Sequence, residues 1–204
     1  MPIISEIRRL IQSTSQITPN VYQLTIRGTN VILIVEEKLT LIDTGLRGSS
    51  PQITGFIHHL RRSPEEISLI ILTHRHMDHT GGLAELKQLT LAKVAIHKAD
   101  ISDVQMRPLS SPLRSVFSVK SRDIDIQLAG GEILPPLGGL EVIHTPGHTP
   151  GSISLFSQRN KLLIVGDALR KRRKTLNLPP KMVSSDLSQA VESIKRMAQL
   201  DFNI

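Results

Sequence analysis

The stretch Thr73-His74-Arg75-His76-Met77-Asp78-His79-Thr80-Gly81-Gly82 constrains this chain more than any other. It sets three imidazoles and a carboxylate within six residues, directly after the apolar run SLIILT (Ser68 to Thr73). A continuous apolar run of that length suits a strand buried on both faces, and the loop after such a strand is a common place for ligands. His74 and His76, two apart in extended backbone, project to the same side, whereas Asp78 and His79 lie beyond a turn and can face a second ion a few ångströms away. Imidazole and carboxylate suit zinc, iron or manganese. The chain has no cysteine, so thiolate sites, iron–sulfur clusters and disulfides are excluded and any metal is held by His, Asp or Glu.

The surroundings of that loop read as an α/β chain. VYQLTI, NVILIVEE and KLTLID are strand-like runs separated by short charged turns, the pattern of an antiparallel meander. Ser50 as N-cap and Pro51 in the first turn predict a helix to about Arg62. Leu83, Leu86 and Leu89 repeat at helical spacing, and KVAIHK is a further strand. The segment from Asp100 to Lys120, with two prolines and many serines, reads as an extended connection or lid. Strands then return as IDIQL, LEVIH, SISLFS and KLLIVGD, the last two joined at Gln158-Arg159-Asn160. A final helix starts at Asp186, with Gln189 reaching back and Leu187, Ala190, Val191, Ile194 and Met197 as its apolar stripe. Strands followed by helix and strand occur twice, and two sheets facing each other with helices outside is the economical arrangement. At 204 residues the chain is the size of one domain.

Composition narrows the partners. Five aromatic residues, one Tyr and four Phe, leave little material for stacking single-stranded nucleic acid. The net charge of +7 is mostly local, because Arg170-Lys171-Arg172-Arg173-Lys174 supplies five of it. That run falls three residues after Asp167 and reads either as a clamp for an anionic substrate, such as a thioester of a phosphate-bearing carrier, or as a solvated mobile loop. The first sixteen residues hold no long apolar run, so neither a signal peptide nor a membrane span is expected and the cytoplasm is the default location.

Together, the HxHxDH loop, Thr145-Pro146-Gly147-His148-Thr149-Pro150-Gly151-Ser152, Val165-Gly166-Asp167 and the early Leu41-Ile42-Asp43-Thr44-Gly45 resemble, in order, the motifs of the metallo-β-lactamase superfamily. The resemblance implies an αββα sandwich of two mixed β-sheets with helices on the outer faces. It implies a binuclear centre in which His74, His76 and His148 bind one metal, Asp78 and His79 the second, and Asp167 bridges them, with Asp43 supporting from behind. Zinc is the expected ion, with iron or manganese as alternatives. Asp78 is the expected catalytic residue, orienting a metal-bound hydroxide. The family also supplies a later histidine to the second metal, and no His follows His148, while Leu200-Asp201-Phe202-Asn203-Ile204 reads as the start of the apolar strand that would precede it. The chain therefore reads as a single domain over residues 1–204 that lacks its last strand and helix, with a sheet edge left bare or covered by a second copy in a homodimer.

The implied function is a metallo-hydrolase of the glyoxalase II kind, opening an ester, thioester or lactone of a small molecule. A phosphodiesterase or nuclease of the same fold is the alternative, and a non-catalytic metal-binding protein the third reading. His58, His59 and His97 are expected to be surface or packing residues, and His144 either a support behind the metal ligands or a hydrogen-bonded core residue.

Overall fold

A computed structural model describes residues 13–101 and 121–203 of the chain. The Asp100–Lys120 connection therefore lies almost wholly outside the described residues. The chain divides into two compact units, the first taking residues up to Leu72 together with His76–Ala95, the second Thr73–Arg75 together with the residues from Ile96 onward.

The first unit is built on strands β1 (Thr14–Thr18), β2 (Val21–Ile26), β3 (Thr29–Val35), β4 (Leu39–Ile42), β5 (Ile67–Ile71) and β6 (Lys93–His97), which neighbour one another in sequence order. β1 to β4 form the antiparallel meander that the alternating runs foretell. β2 and β3 join through Arg27 and Gly28, both at positive φ (51° and 87°), the left-handed pair whose twist matches a tight hairpin. β4, β5 and β6 are parallel, so each crossover needs a helix between strands. These are α1 (Ser50–His59), then α2 (Met77–Thr80) and α3 (Leu83–Leu89). The N-cap of α1 is Ser49, one residue earlier than the sequence suggests, which leaves Pro51 in the first turn, where a missing N–H costs nothing. Ile53, Phe56 and Ile57 of α1 are buried, and Phe56 meets Tyr22 edge to face at 5.4 Å. The core is aliphatic: Leu24, Leu33, Leu41, Ile70, Ile71 and Leu72 are fully enclosed. Three consecutive buried residues, Ile70 to Leu72, are what a strand covered on both faces requires.

The second unit carries β7 (Ile126–Leu128) and an antiparallel sheet of β8 (Ile133–Leu134), β9 (Leu140–His144), β10 (Ile153–Ser157) and β11 (Leu162–Ile164), in the order β11-β10-β9-β8. All five residues of β10 are buried, including Ser154 and Ser157. Their hydroxyls are satisfied by Thr145 Oγ1 at 3.2 Å and by the Asn160 amide at 2.8 Å. β10 and β11 form the expected hairpin. Helix α4 (Leu187–Met197) is capped by Asp186, whose carboxylate accepts from the N–H groups of Ser188 and Gln189. Its enclosed residues are Ala190, Ser193 and Met197, so Ser193 joins the inner face through a hydrogen bond to Pro146 O at 2.8 Å.

Two readings are corrected here. The basic run is an ordered antiparallel ribbon, β12 (Arg170–Arg172) with β13 (Thr175–Asn177), turned at Arg173 and Lys174 with Arg173 at φ 56°. Asp201–Asn203, read as the opening of a strand, are irregular: Asn203 N donates to Lys161 O and Asp201 pairs with Lys161 Nζ at 2.8 Å, which ties this segment to the β10–β11 turn. Among the described residues no helix is long and apolar enough to cross a membrane.

His58 and His59 are exposed on α1, and His97 and His144 stack on each other with ring centroids 4.0 Å apart and planes within 11°. His97 Nδ1 accepts from Ala99 N and its Nε2 donates to Ala129 O, while His144 Nε2 bonds to Pro150 O. Burial, then the adjacent His144, pushes the His97 imidazole below the ordinary histidine range. The folded chain then binds fewer protons at this site than the unfolded chain. The site's contribution to stability is present above about pH 6.5 and is lost as pH falls through that value towards the depressed folded pKa. Denaturant titrations from pH 7.5 downward should show this slope, and His97→Gln, which keeps a donor and an acceptor without titrating, should reduce it.

Candidate metal centre

The candidate ligands follow strand ends. In the first unit β4 and β5 are parallel, so Asp43 and Leu72, the residues after them, leave the same end of that pair. In the first unit, Asp43 lies at φ 63°, a left-handed position that Asp tolerates better than most residues, and its N–H is held by Ile71 O at 2.8 Å. Its buried carboxylate is 2.7 Å from His79 Nδ1. Thr44 fixes the same residue from the other side, its N–H and its hydroxyl both donating to His79 O at 2.7 and 2.9 Å. His79 stands in the single turn α2, whose N-cap His76 accepts at its carbonyl from the N–H groups of His79 and Thr80 and from the Thr80 hydroxyl. Gly82 is required just beyond, because a Cβ there would strike Thr44 O. Asp78, a little under half exposed, brings a carboxylate oxygen to 3.6 Å from His79 Nε2.

In the second unit the groups converge more tightly. The rings of His74 and His148, both buried, meet edge to face at 4.8 Å. His148 Nε2 lies 3.6 Å from Asp167 Oδ2, and a ligand atom of His74 lies within 4.8 Å of one on each of them. Asp167 reaches this place because Gly166, at φ 53°, presses against Thr73, where a Cβ would come within 2.9 Å of the threonine's own. The turn bearing His148 is clamped onto the start of α4: Ser185 N donates to His148 O and Asp186 N to Gly147 O. Gly147 lies at φ 139°, and any side chain would run into the Ala190 backbone.

Asp100 links these pieces. Fully buried, it accepts from Arg75 N at 2.9 Å, from Thr149 Oγ1 at 2.6 Å and from Gly151 N at 2.8 Å. One carboxylate thus holds both the loop of His74 and the turn of His148. Sequence reasoning did not find it, since a lone Asp after a strand has no spacing signature. Ser184 was missed for the same reason: its Oγ lies 3.3 Å from His148 Nδ1 and donates to Pro180 O at 2.9 Å.

The donor set fits a metal ion. His74 Nδ1 is engaged by Thr73 Oγ1 at 3.0 Å, His148 Nδ1 by Ser184, and His79 Nδ1 by Asp43. Holding Nδ1 fixes tautomer and ring orientation and leaves Nε2 as the nitrogen suited to ligation, the usual arrangement behind metal-binding histidines.

The chain as a whole is similar to known proteins. The model of the Metallo-beta-lactamase superfamily matches residues 24–204, and the chain belongs to that family. YobT of Bacillus subtilis (strain 168) is 37% identical over 155 residues, covering 70% of this chain and 63% of that protein. "Probable metallo-hydrolase YflN" of the same organism is 29% identical, covering 89% of this chain and 80% of its own length. A hydroxyacylglutathione hydrolase of Ectopseudomonas mendocina (strain ymp) is 32% identical over half of this chain, which is a third of that enzyme. Among solved structures, the FEZ-1 metallo-β-lactamase of Legionella gormanii superposes with a TM-score of 0.71 at 23% identity, over 94% of this chain and 77% of its own. The subclass B3 enzyme BJP-1 of Bradyrhizobium japonicum does so with 0.68 at 22%, over 94% and 75%. The α/β fold expected from the sequence is theirs.

The hydrogen bond from Ser184 to His148 gives a test. Ser184→Ala should lower metal affinity by about 10- to 100-fold with the fold retained, and Ser184→Thr should restore it, as read by competition with a chromogenic chelator.

Proposed function

We propose that this chain is a metal-dependent hydrolase acting on an ester, thioester or lactone carbonyl of a small molecule. The convergence of buried His74 and His148 with Asp167 carries the reading, together with the carboxylate fixed behind His79. In this proposal His74, His76 and His148 hold one ion, Asp78 and His79 a second, and Asp167 is shared by both. Zinc is the ion we favour, because neutral imidazoles with carboxylates are a common zinc set, and iron and manganese accept the same donors. Such ions, when bound, supply Lewis acidity that polarises a carbonyl and brings the pKa of a bound water near neutrality.

The chain's own contributions follow from its hydrogen bonds. Asp43 and Ser184 hold His79 and His148 at Nδ1, so both rings are set before substrate arrives and need no reorganisation during reaction. In this proposal Asp78, which stands in the single turn α2 and is partly open to solvent, orients the attacking water and accepts its proton. The relatives described as hydrolases support the reading: the probable metallo-hydrolase YflN, and the hydroxyacylglutathione hydrolase, which by its name hydrolyses a hydroxyacylglutathione. The test is a parallel screen of thioesters, lactones, β-lactams and phosphodiesters with zinc-, manganese- and iron-loaded protein. Turnover of an acyl substrate is expected, with His148→Ala reducing it by about 100-fold or more and His58→Ala leaving it unchanged. Phosphodiester cleavage without acyl hydrolysis would reverse the proposal.

A further inference from the structure

The excursion from Ala168 to Ser185 is buried at Ala168 and Pro179 and open to solvent over most of the rest. Its ribbon, β12 with β13, is exposed at every residue from Arg170 to Asn177. Yet both of its ends are fastened to proposed ligands of the second unit. It departs directly after Asp167, and it returns at Ser184, whose hydroxyl touches His148 Nδ1, and at Ser185, whose N–H donates to His148 O. Three residues of chain separate Asp167 from Arg170, a reach of at most about 10 Å, and the turn at Arg173-Lys174 lies no more than about 25 Å along the chain from Asp167.

Within that excursion the charge is of one sign. Arg170, Lys171, Arg172, Arg173, Lys174 and Lys181 are cationic, and no Asp or Glu occurs between Asp167 and Asp186. The pairing of Arg170 with Asn177 and Arg172 with Thr175 places both arginines on one face of the ribbon, accompanied by hydrogen-bonding side chains, while Lys171 and Leu176 share the other. Two arginines whose Cα atoms stand about 7 Å apart on one face of an open strand are suited to gripping phosphate oxygens bidentately.

Resting on the hydrolase reading, we propose that the ribbon binds the phosphate end of an acyl thioester whose carrier is a long arm bearing phosphate groups, with the acyl carbon held at the ligands beside its root. In the reaction the acyl C–S bond breaks, the oxygen of water bonds to the acyl carbon, one proton of that water passes to the released sulfur to give the thiol, and the other is lost as the carboxylate forms. A simple lactone has no anionic group to place on the ribbon, and a glutathione thioester offers singly charged carboxylates on a shorter arm in place of phosphates. A nucleic acid would use the same cations, but the ribbon and its flanks from Ala168 to Ser185 contain no aromatic residue on which a base could stack.

The probes are acetyl-coenzyme A and S-acetylpantetheine, which share the thioester and differ in the phosphate-bearing nucleotide. Equilibrium binding to the metal-free chain is measured first, then KM and kcat with the zinc-loaded chain. Acetyl-coenzyme A should bind about tenfold or more tightly than S-acetylpantetheine, and the gap should shrink with rising salt. The triple variant R170Q/K171Q/R172Q should close the gap through KM, leaving kcat on S-acetylpantetheine and the melting temperature unchanged. Equal binding of the two thioesters would overturn the proposal, as would tighter binding of a 20-mer oligonucleotide than of acetyl-coenzyme A. If acetyl-coenzyme A binds through the ribbon while no thioester is cleaved, the hydrolase reading fails and phosphate recognition stands. If S-acetylpantetheine is cleaved as efficiently as acetyl-coenzyme A, the reverse holds.

Discussion

The second unit is organised around one buried carboxylate. Asp100 has no solvent to stabilise it, and it is held by two backbone N–H groups and a hydroxyl that come from different loops. A buried carboxylate without such donors would be strongly unfavourable, so the Arg75 and Thr149-to-Gly151 segments must stay where their donors reach it. His74 precedes the first of those donors by one residue, and His148 precedes the second by one. Because the segments bearing these two histidines share one acceptor, their geometry is set by folding itself.

A second layer of the same device acts on the rings. Thr73, Ser184 and Asp43 each engage an Nδ1 nitrogen, so tautomer and orientation are settled by neighbours that are not themselves proposed ligands. Glycines make the approach possible where a side chain could not fit, at Gly147 beneath α4 and at Gly166 against Thr73. The basic ribbon is anchored to the same elements, since the hydroxyl that contacts His148 belongs to the segment closing the excursion. The proposed phosphate grip is therefore fastened to the proposed ligands by covalent chain on one side and by a hydrogen bond on the other.

Much of this was legible in the sequence, for identifiable reasons. The meander, the buried strand β5 and the hairpin β10–β11 follow from apolar patterning and turn residues, which act locally. The imidazoles of the HxHxDH loop and the TPGHTPG turn stood out because histidines are rare and their spacing is restrictive. Asp100 and Ser184 did not stand out, because each works through a contact made across the fold, with no partner at a fixed offset. The ribbon was hidden by composition: a run of five cations has poor strand character by itself, and its pairing depends on the left-handed Arg173 in the turn. The end of the chain misled for the opposite reason, since alternating Leu200, Phe202 and Ile204 suggest a strand where Asp201 and Asn203 are instead tied to Lys161.

The central claim is that histidines of this chain hold a metal ion. X-ray absorption at the zinc edge of protein reconstituted with zinc and freed of excess tests it most directly. The account predicts retained zinc with nitrogen or oxygen neighbours at about 2.0–2.1 Å and outer-shell scattering from at least two imidazoles, diminished by one in His148→Ala. Zinc that washes out completely, or that is held without imidazole scattering, would contradict it.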